Sequence, residues 1–392
     1  MTPNALAKQL YSSYEEFALP HLRPSLCKHG TIMREVERLV GESDGLLSME
    51  ELGASLEGRR ISLVRAGTGA KRVLLWSQMH GDETTATLAL CDMLSFLSGS
   101  ARSRSWSRAM LDGITIAAIP MLNPDGAERG ERENATHIDL NRDAKALATP
   151  EGRILRETHR ALKPAFGFNL HDQELSSVGT TRKAAALAFL APPPDDRRSR
   201  PIPRLRAMRV CALMARALHQ FVEGHIATYD DAYEPRAFGD RMQSWGTSTV
   251  LIESGHWPQD PEKVFIRKLN AIALLVALHA IATGAYQDVE LEHYHALKPN
   301  GTLIYDLIIR NVKVVHASGW STRVDLGVSL EPEANRRSPA PLATIKEIGD
   351  LHTHAGLQTL DGSARRITTA DIAVDREMPL ADLLNLLQLY HP

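Results

Sequence analysis

Imidazole, carboxylate and guanidinium side chains recur between residues 76 and 255 in an order that suits metal-assisted hydrolysis. The segments are His80-Gly81-Asp82-Glu83, Asn123-Pro124-Asp125-Gly126, Arg132, Asp139-Leu140-Asn141-Arg142, Asn169-Leu170-His171 and Leu251-Ile252-Glu253-Ser254-Gly255. Each segment is common by chance, but together they supply metal ligands, a base and groups that bind an anion. The combination predicts hydrolysis that depends on a single zinc ion.

Three of these side chains are candidate zinc ligands. His80 follows the apolar segment 73–77, and Glu83 begins the next helical segment, so a short turn can bring both to one cation. His171 follows another apolar strand, 166–170, and the ends of such strands meet at one edge of an α/β sheet. Zinc accepts nitrogen and oxygen ligands in tetrahedral geometry, and a catalytic site keeps the fourth position for water.

Glu253 is the candidate general base. It follows the β-branched, apolar segment 247–252, which is typical of a strand buried on both faces. A carboxylate at the end of such a strand, beside a water activated by zinc, can take a proton from that water.

The ordered segments resemble the M14 (carboxypeptidase A-like) zinc metallocarboxypeptidase family, of a bacterial type, over about residues 58–285. The resemblance implies one zinc ion, with Glu253 as base and proton shuttle. The zinc ligands that it implies are His80, Glu83 and His171.

The resemblance also implies residues that bind the substrate. Arg132 matches the arginine that polarises the scissile carbonyl, since a guanidinium stabilises a developing oxyanion. Asn141 and Arg142 match the pair that holds the terminal carboxylate, for which a planar guanidinium is well suited. Members of the family also close a tyrosine over the substrate; Tyr229 and Tyr233 both lie in the right stretch, and Tyr233 is the candidate.

Substrate preference in the family depends on the segment before the base, here residues 238–244, where Asp240 or Arg241 could contact a charged side chain or form a salt-bridged loop. The compact spacing between Arg132 and Arg142 resembles bacterial members that act on peptides or cell-wall fragments. We therefore expect cleavage of the C-terminal amide bond of a peptide-like substrate that has a free carboxylate.

Two alternatives stay open at this stage. One keeps zinc but hydrolyses an N-acyl amino acid, as in enzymes similar to aspartoacylase or succinylglutamate desuccinylase. The other is a non-catalytic module that binds zinc or a peptide. The first differs only in substrate, whereas the second would require the catalytic side chains to be unused.

Strand-like and helix-like segments alternate, which predicts an α/β fold with a mixed, mostly parallel sheet flanked by helices. Residues 1–57 are expected to form a helical or irregular segment packed on the catalytic domain, which covers 58–286. Residues 287–392 are expected to form a small β-rich accessory domain that could mediate homo-oligomers. The apolar segment 269–285 is interrupted by His279 and is typical of a buried helix.

Composition narrows the classes of partner and location. The chain has 392 residues and a net charge of -2, with 45 basic and 47 acidic residues, so neither nucleic acid nor a membrane surface is an expected partner. The three cysteines are far apart and predict neither a disulfide framework nor a cysteine zinc site. The N-terminal residues contain no hydrophobic signal segment, which favours a cytoplasmic location, with export as the open alternative.

A second histidine pair lies in the C-terminal region. The segment Asp350-Leu351-His352-Thr353-His354 resembles the opening of metal-dependent amidohydrolases. Only 38 residues follow His354, whereas the (β/α)8 barrel of those enzymes needs about 200 or more. We therefore expect no metal at this pair.

Overall fold

The structure is a computed structural model that describes residues 1–99, 108–331, 341–363 and 365–389. Two mixed sheets organise it, one with ten strands and one with six. The strands are β1 Leu47–Ala54, β2 Arg60–Ala66, β3 Lys71–Ser77, β4 Ile114–Ile119, β5 Phe166–Asp172, β6 Ser177–Val178, β7 Leu187–Leu190, β8 Ile226–Thr228, β9 Ser248–Ser254, β10 Lys298–Gly301, β11 Ile304–Val315, β12 Ser321–Leu330, β13 Leu342–Gly349, β14 Ala355–Asp361, β15 Arg366–Thr368 and β16 Glu377–Pro379.

Helices cover both faces of the larger sheet, and the last helix packs on the second sheet instead. They are α1 Pro3–Ser12, α2 His29–Gly41, α3 Thr85–Ser98, α4 Pro124–Arg129, α5 Pro150–Leu162, α6 Ile202–His219, α7 Phe238–Ser244, α8 Val264–Thr283, α9 Glu292–His295 and α10 Leu380–Leu386. The predicted α/β fold with a mixed sheet is confirmed.

The order of the larger sheet is β1-β2-β4-β3-β5-β9-β7-β8-β10-β6. Its centre, from β4 through β3 and β5 to β9, is parallel. The carboxyl ends of these four strands therefore lie at one edge, where open α/β sheets place their sites. The second sheet runs β14-β11-β12-β13-β16, and β15 pairs with β11.

Separate apolar cores lie on the two faces of the large sheet. The larger core joins α1, α2, α3, α6 and α8 to one face. A smaller core around Trp76 and Phe238 packs α5 and α7 on the other face. Helix α8 is long and apolar enough to cross a membrane, but 78% of its most apolar window is buried inside the protein, as predicted for the segment 269–285.

Several boundaries differ from the sequence-based expectation. Within residues 1–57, expected to be helical or irregular, β1 is a strand paired antiparallel to β2. After residue 286, α9 precedes β10, and β10 pairs with β8 of the large sheet, so the second sheet starts only at Ile304. Helix α8 begins at Val264, before the expected segment 269–285, and the carboxylate of Asp260 accepts the N–H groups of Val264 and Phe265 at 2.8 and 2.9 Å.

Candidate metal centre

His80, Glu83 and His171 meet at the carboxyl edge of the central strands. His80 and Glu83 lie in the turn between β3 and α3, and His171 is the last residue but one of β5. All three are buried, with 2%, 7% and 3% of their surface exposed. One ligand atom from each lies within 4.8 Å of the others.

The distances among these atoms describe a compact donor set. Nδ1 of His80 lies 2.6 Å from Oε1 of Glu83, and Nδ1 of His171 lies 2.7 Å from Oε2 of the same carboxylate. The two Nδ1 atoms are 3.2 Å apart. Bonds of about 2.0 Å from a tetrahedral zinc ion put two donor atoms about 3.3 Å apart. Two imidazoles and a carboxylate at this spacing therefore fit zinc.

Asp139 orients His80 from the side away from this centre. Its Oδ1 lies 3.0 Å from Nε2 of His80, and that hydrogen bond leaves Nδ1 as the ligand atom. Burial opposes ionisation of Asp139, but the hydrogen bond from His80 and the charge of Arg132 outweigh it and lower the pKa of the carboxyl. The sequence pattern does not indicate that Asp139 orients His80, although Asp139 stands in the same segment as Asn141 and Arg142.

Glu253 lies beside the donor set because of strand register. In the parallel pair β5 and β9, His171 and Glu253 are directly paired. Neighbouring strands lie about 4.8 Å apart, and paired residues project from the same face. Glu253 is 6% exposed. Both residues belong to a strand, whereas the sequence analysis placed them just after one.

Electrostatics in this centre reflect burial and crowding of charge. Burial, reinforced by the charge of Glu83, raises the pKa of Glu253 well above its ordinary value. Burial works against protonation of His80, but Glu83 and the hydrogen bond to Asp139 outweigh it and raise the pKa of His80 to about 9. A divalent cation would reverse both effects, because its charge favours a neutral imidazole and an ionised carboxylate.

Arg132 lies at the rim of the donor set. Its Nη1 donates to Oε1 of Glu83 at 3.3 Å, and its Nη2 donates to Oδ2 of Asp139 at 3.1 Å. The side chain is 42% exposed. The guanidinium is thus held in place next to the ligands but remains accessible from solvent.

Asn141 and Arg142 form a short 3-10 turn, 140–142, that is tied to the same centre. The N–H of Asn141 donates to Oδ1 of Asp139 at 2.8 Å. Its side-chain oxygen accepts the N–H of Phe238 at 2.9 Å, so its amide nitrogen remains a donor. Nε of Arg142 lies 3.7 Å from Oε2 of Glu234. This ion pair is loose, and the side chain of Arg142 is 41% exposed.

Two glycines pack the turn around His80 against the segment Asn123-Pro124-Asp125-Gly126. A Cβ on Gly81 would lie 2.1 Å from the carbonyl carbon of Gly126. The two segments could therefore not pack this closely if residue 81 had a side chain. The N–H of Gly81 donates to the carbonyl of Arg132 at 3.3 Å. This segment forms the start of α4, and Asn123 is the N-cap of that helix.

The two candidate tyrosines occupy different surroundings. The charge of Glu253 is the largest influence on Tyr229, and together with burial it raises the pKa of this phenol to about 12. Tyr229 follows β8, and its N–H donates to the carbonyl of Phe189 on β7 at 3.1 Å. Tyr233 is half-buried in the loop next to Glu234. The influence of Glu253 therefore favours Tyr229 over Tyr233 as the tyrosine near the metal centre. Spacing in the sequence could not separate the two.

The side chains of Asp240 and Arg241 lie in different surroundings. Asp240 is 8% exposed, and its Oδ1 accepts the N–H of Glu234 at 3.2 Å. Burial raises the pKa of Asp240 to about 7. Arg241 instead lies over the ring of Trp245, with 5.6 Å between its Cζ and the ring centroid.

The histidine pair of the second sheet lacks a comparable ligand set. The side chain of His352 is 73% exposed, and its Nδ1 lies 2.9 Å from Oδ1 of the exposed carboxylate of Asp350. His354 lies 3.9 Å from Glu347 and stacks on Tyr305. Within the described ranges, the group of three or more close metal-binding side chains is His80, Glu83 and His171.

Residues 32–179 match the zinc carboxypeptidase family, peptidase M14. Carboxypeptidase 2 of Trichophyton tonsurans is 28% identical over 117 residues, which are 30% of this chain and 21% of that protein. Carboxypeptidase D of Drosophila melanogaster is 33% identical over 111 residues, which are 24% of this chain and 8% of that protein. The chain thus spans about a fifth of the length of the first of these curated relatives.

Solved structures show the same fold. The metallo-carboxypeptidase from Burkholderia cenocepacia superposes with a TM-score of 0.51 at 19% identity, over 66% of this chain and 69% of that chain. Carboxypeptidase A from Helicoverpa armigera superposes with a TM-score of 0.52 at 17% identity, over 72% and 80% of the two chains. At such low identity the likeness concerns the mixed sheet and its flanking helices.

Proposed function

We propose that this chain, whose residues 32–179 belong to the M14 zinc carboxypeptidase family, cleaves the C-terminal peptide bond of a peptide or peptide-like substrate. The observation that carries the proposal is the convergence of three ligand atoms within 4.8 Å, with Glu253 paired in register beside one of the ligands. Fold alone would not support an activity, whereas this donor set and base have a specific chemistry.

One zinc ion held by His80, Glu83 and His171 would act as a Lewis acid on the carbonyl and lower the pKa of a water molecule. Glu253 would take the proton from the attacking water. Its burial, 6% exposed, keeps that proton from bulk solvent, so the same carboxyl can deliver it to the leaving amine.

Arg132 would stabilise the oxyanion that develops on the scissile carbonyl. Its guanidinium is already oriented by Glu83 and Asp139, so little reorganisation is needed when charge develops. Because its side chain is 42% exposed, it can also be reached by the substrate.

Asn141 and Arg142 would bind the terminal carboxylate. The amide nitrogen of Asn141 remains a donor, and the 3.7 Å ion pair of Arg142 with Glu234 is loose enough to be replaced. Glu234 has a closer partner in Arg236, whose Nη2 lies 2.6 Å from its Oε2. A free carboxylate can therefore compete for Arg142 without leaving Glu234 unpaired.

Glu253→Gln tests the mechanism. We expect the variant to keep its zinc content, because Glu253 is not one of the ligands, while kcat on a C-terminal peptide substrate falls at least 100-fold, as expected for a lost general base. Zinc is measured by atomic absorption and turnover by release of the terminal amino acid. A variant that retains zinc and full turnover would contradict the assigned role.

A substrate panel tests the class of bond. C-terminal dipeptides and longer peptides are compared with N-acetyl and N-succinyl amino acids on the zinc-loaded protein. We expect kcat/KM to be higher for the peptides, because the carboxylate-binding pair and the accessible Arg132 suit an extended chain. Hydrolysis confined to N-acyl amino acids would replace the proposal with the amidohydrolase alternative.

A further inference from the structure

A cavity of about 760 Å³ opens at the end of the large sheet opposite to the metal centre. It lies where β5 and β9 begin, near Phe166 and Ser248. His171 lies five residues further along β5, which corresponds to about 17 Å. The residues that line the cavity are Arg156, His159, Arg160, Lys163, Pro164, Ala165, Trp245, Gly246 and Thr247.

Three cationic side chains, Arg156, Arg160 and Lys163, line this cavity, and Arg241 lies next to it over the ring of Trp245. Arg156 and Arg160 lie on α5, Lys163 follows its last turn, and Arg241 lies on α7. In the described part of the chain, none of the four forms an ion pair with a carboxylate. The cavity is therefore a concentration of positive charge without an internal counter-ion.

The guanidinium groups are held by an aromatic platform. Cζ of Arg156 lies 3.7 Å from the ring centroid of Trp245, and Arg241 lies over the same ring. Burial, and then the charges of Arg160 and Arg241, lower the pKa of Arg156. The buried Nε of Arg241 has no hydrogen-bond partner among the described residues.

The dipole of α5 does not account for this concentration. A helix C-terminus carries about half a negative charge, which attracts cations in the last turn. This partial charge can stabilise Arg160 and Lys163. It is several times smaller than the four formal charges of Arg156, Arg160, Lys163 and Arg241. Arg241 also comes from α7 and gains nothing from that dipole. The remaining positive charge favours an anion from outside the chain.

We propose that this cavity binds a small phosphorylated molecule. Guanidinium groups donate planar pairs of hydrogen bonds that match phosphoryl oxygens, and an ammonium group adds a point charge. A phosphoryl group carries about two negative charges and three acceptor oxygens, whereas a carboxylate carries one charge and two oxygens. The cavity volume falls in the range of about 300–1,000 Å³ that holds small molecules, so an organic part also fits.

Calorimetric titration of the full-length, zinc-loaded protein tests the proposal. Pyrophosphate and AMP serve as probes at constant ionic strength, the first for free phosphate and the second for a phosphate ester. We expect at least one probe to bind, and the double variant Arg160→Gln, Lys163→Gln to bind it at least 10-fold more weakly. Arg206→Gln, a control that removes one exposed cation from α6, should bind like the parent protein.

A second variant separates this cavity from the metal centre, where a phosphate could also bind. Arg142→Gln removes a cation next to the zinc ligands and should leave pyrophosphate binding unchanged. If Arg142→Gln abolishes binding and the double variant does not, the proposal is overturned. Failure of both probes to bind the parent protein also overturns it.

The melting temperature, measured with and without pyrophosphate, distinguishes a binding role of Arg160 from a purely structural one. Arg160→Gln should leave the melting temperature unchanged or raise it, because it relieves repulsion from Arg156. The same variant should lose most of the rise in melting temperature that saturating pyrophosphate causes in the parent. A lower melting temperature together with an undiminished pyrophosphate effect would show a structural cluster instead.

Discussion

At the scale of single residues, the pairing of His171 with Glu253 decides which side chains can react together. The two residues are directly opposite in the parallel strands β5 and β9. A shift of one residue in this register would turn Glu253 to the opposite face of the sheet. Both side chains are buried by their neighbours, so the register and the surrounding core hold the proposed base next to the proposed ligands.

Tyr229→Phe and Tyr233→Phe form a matched pair that tests which phenol acts at the metal centre. Because the charge of Glu253 is the largest influence on the pKa of Tyr229, we expect Tyr229→Phe to lower kcat/KM about 10-fold or more, the loss expected for one hydrogen bond to a charged group. Tyr233→Phe should change kcat/KM less than 3-fold. Steady-state kinetics on a dipeptide substrate checks this, and the reverse order of effects would assign the role to Tyr233.

At the scale of elements, the turn after β3 and the short helix α4 position the ligands by direct contact of backbones. Gly81 packs on Gly126 so closely that a side chain at Gly81 would meet the backbone of residues 126 and 127. The carboxylate of Asp125, fully buried, accepts hydrogen bonds from Ser55 and Arg59 and fixes α4 to the loop after β1. The edge strand β1 therefore contributes to the metal centre although it holds no ligand.

Gly81→Ala should weaken zinc binding without changing any ligand. The added Cβ must displace backbone atoms that lie 2.1 and 2.3 Å away, which moves His80 relative to His171. We expect zinc affinity to fall 10-fold or more in competition with a chelator, similar to the loss of an orienting contact. Gly41→Ala, at the exposed end of α2 with no atom within 4 Å of the new Cβ, should bind zinc normally. Parent-like affinity in Gly81→Ala would show that the turn can adjust.

At the scale of the whole molecule, a buried charge network attaches the N-terminal segment to the helices α3 and α8. Arg267 on α8 donates to both carboxylate oxygens of Asp92 on α3, at 2.7 and 2.5 Å. It also donates to the carbonyls of Leu22 and Leu19 at 2.7 and 3.0 Å. The hydroxyl of Tyr14 donates to the same carboxylate at 2.5 Å. Residues before β1 are therefore part of the core.

Asp92→Ala should destabilise the whole protein, because it leaves Arg267 buried without its counter-ion. Breaking one partner of a buried pair costs about 3–5 kcal/mol of unfolding free energy. Replacing both residues, Asp92→Leu with Arg267→Met, should cost less, since no unpaired charge remains. Urea denaturation of the three proteins measures this, and a double variant less stable than Asp92→Ala would show that the network does more than neutralise Arg267.

The amino-acid sequence by itself determined the α/β class, the mixed sheet and the group of side chains proposed for zinc and for the base. It could do so because apolar periodicity predicts strands, and because ligands that follow parallel strands meet at one edge. The apolar segments 73–77, 166–170 and 247–252 lie in the strands β3, β5 and β9, as predicted.

Contacts between residues far apart in the chain were decided only by tertiary structure. Asp139 is hydrogen-bonded to His80 across 59 positions, and the charge of Glu253 is the largest influence on the pKa of Tyr229. Neither spacing nor residue type indicates such partners. The strand character of β1 and the inclusion of β10 in the large sheet depend on pairing with β2 and β8. Strand pairing and burial of charge are properties of neighbours in space, so a local pattern cannot predict them.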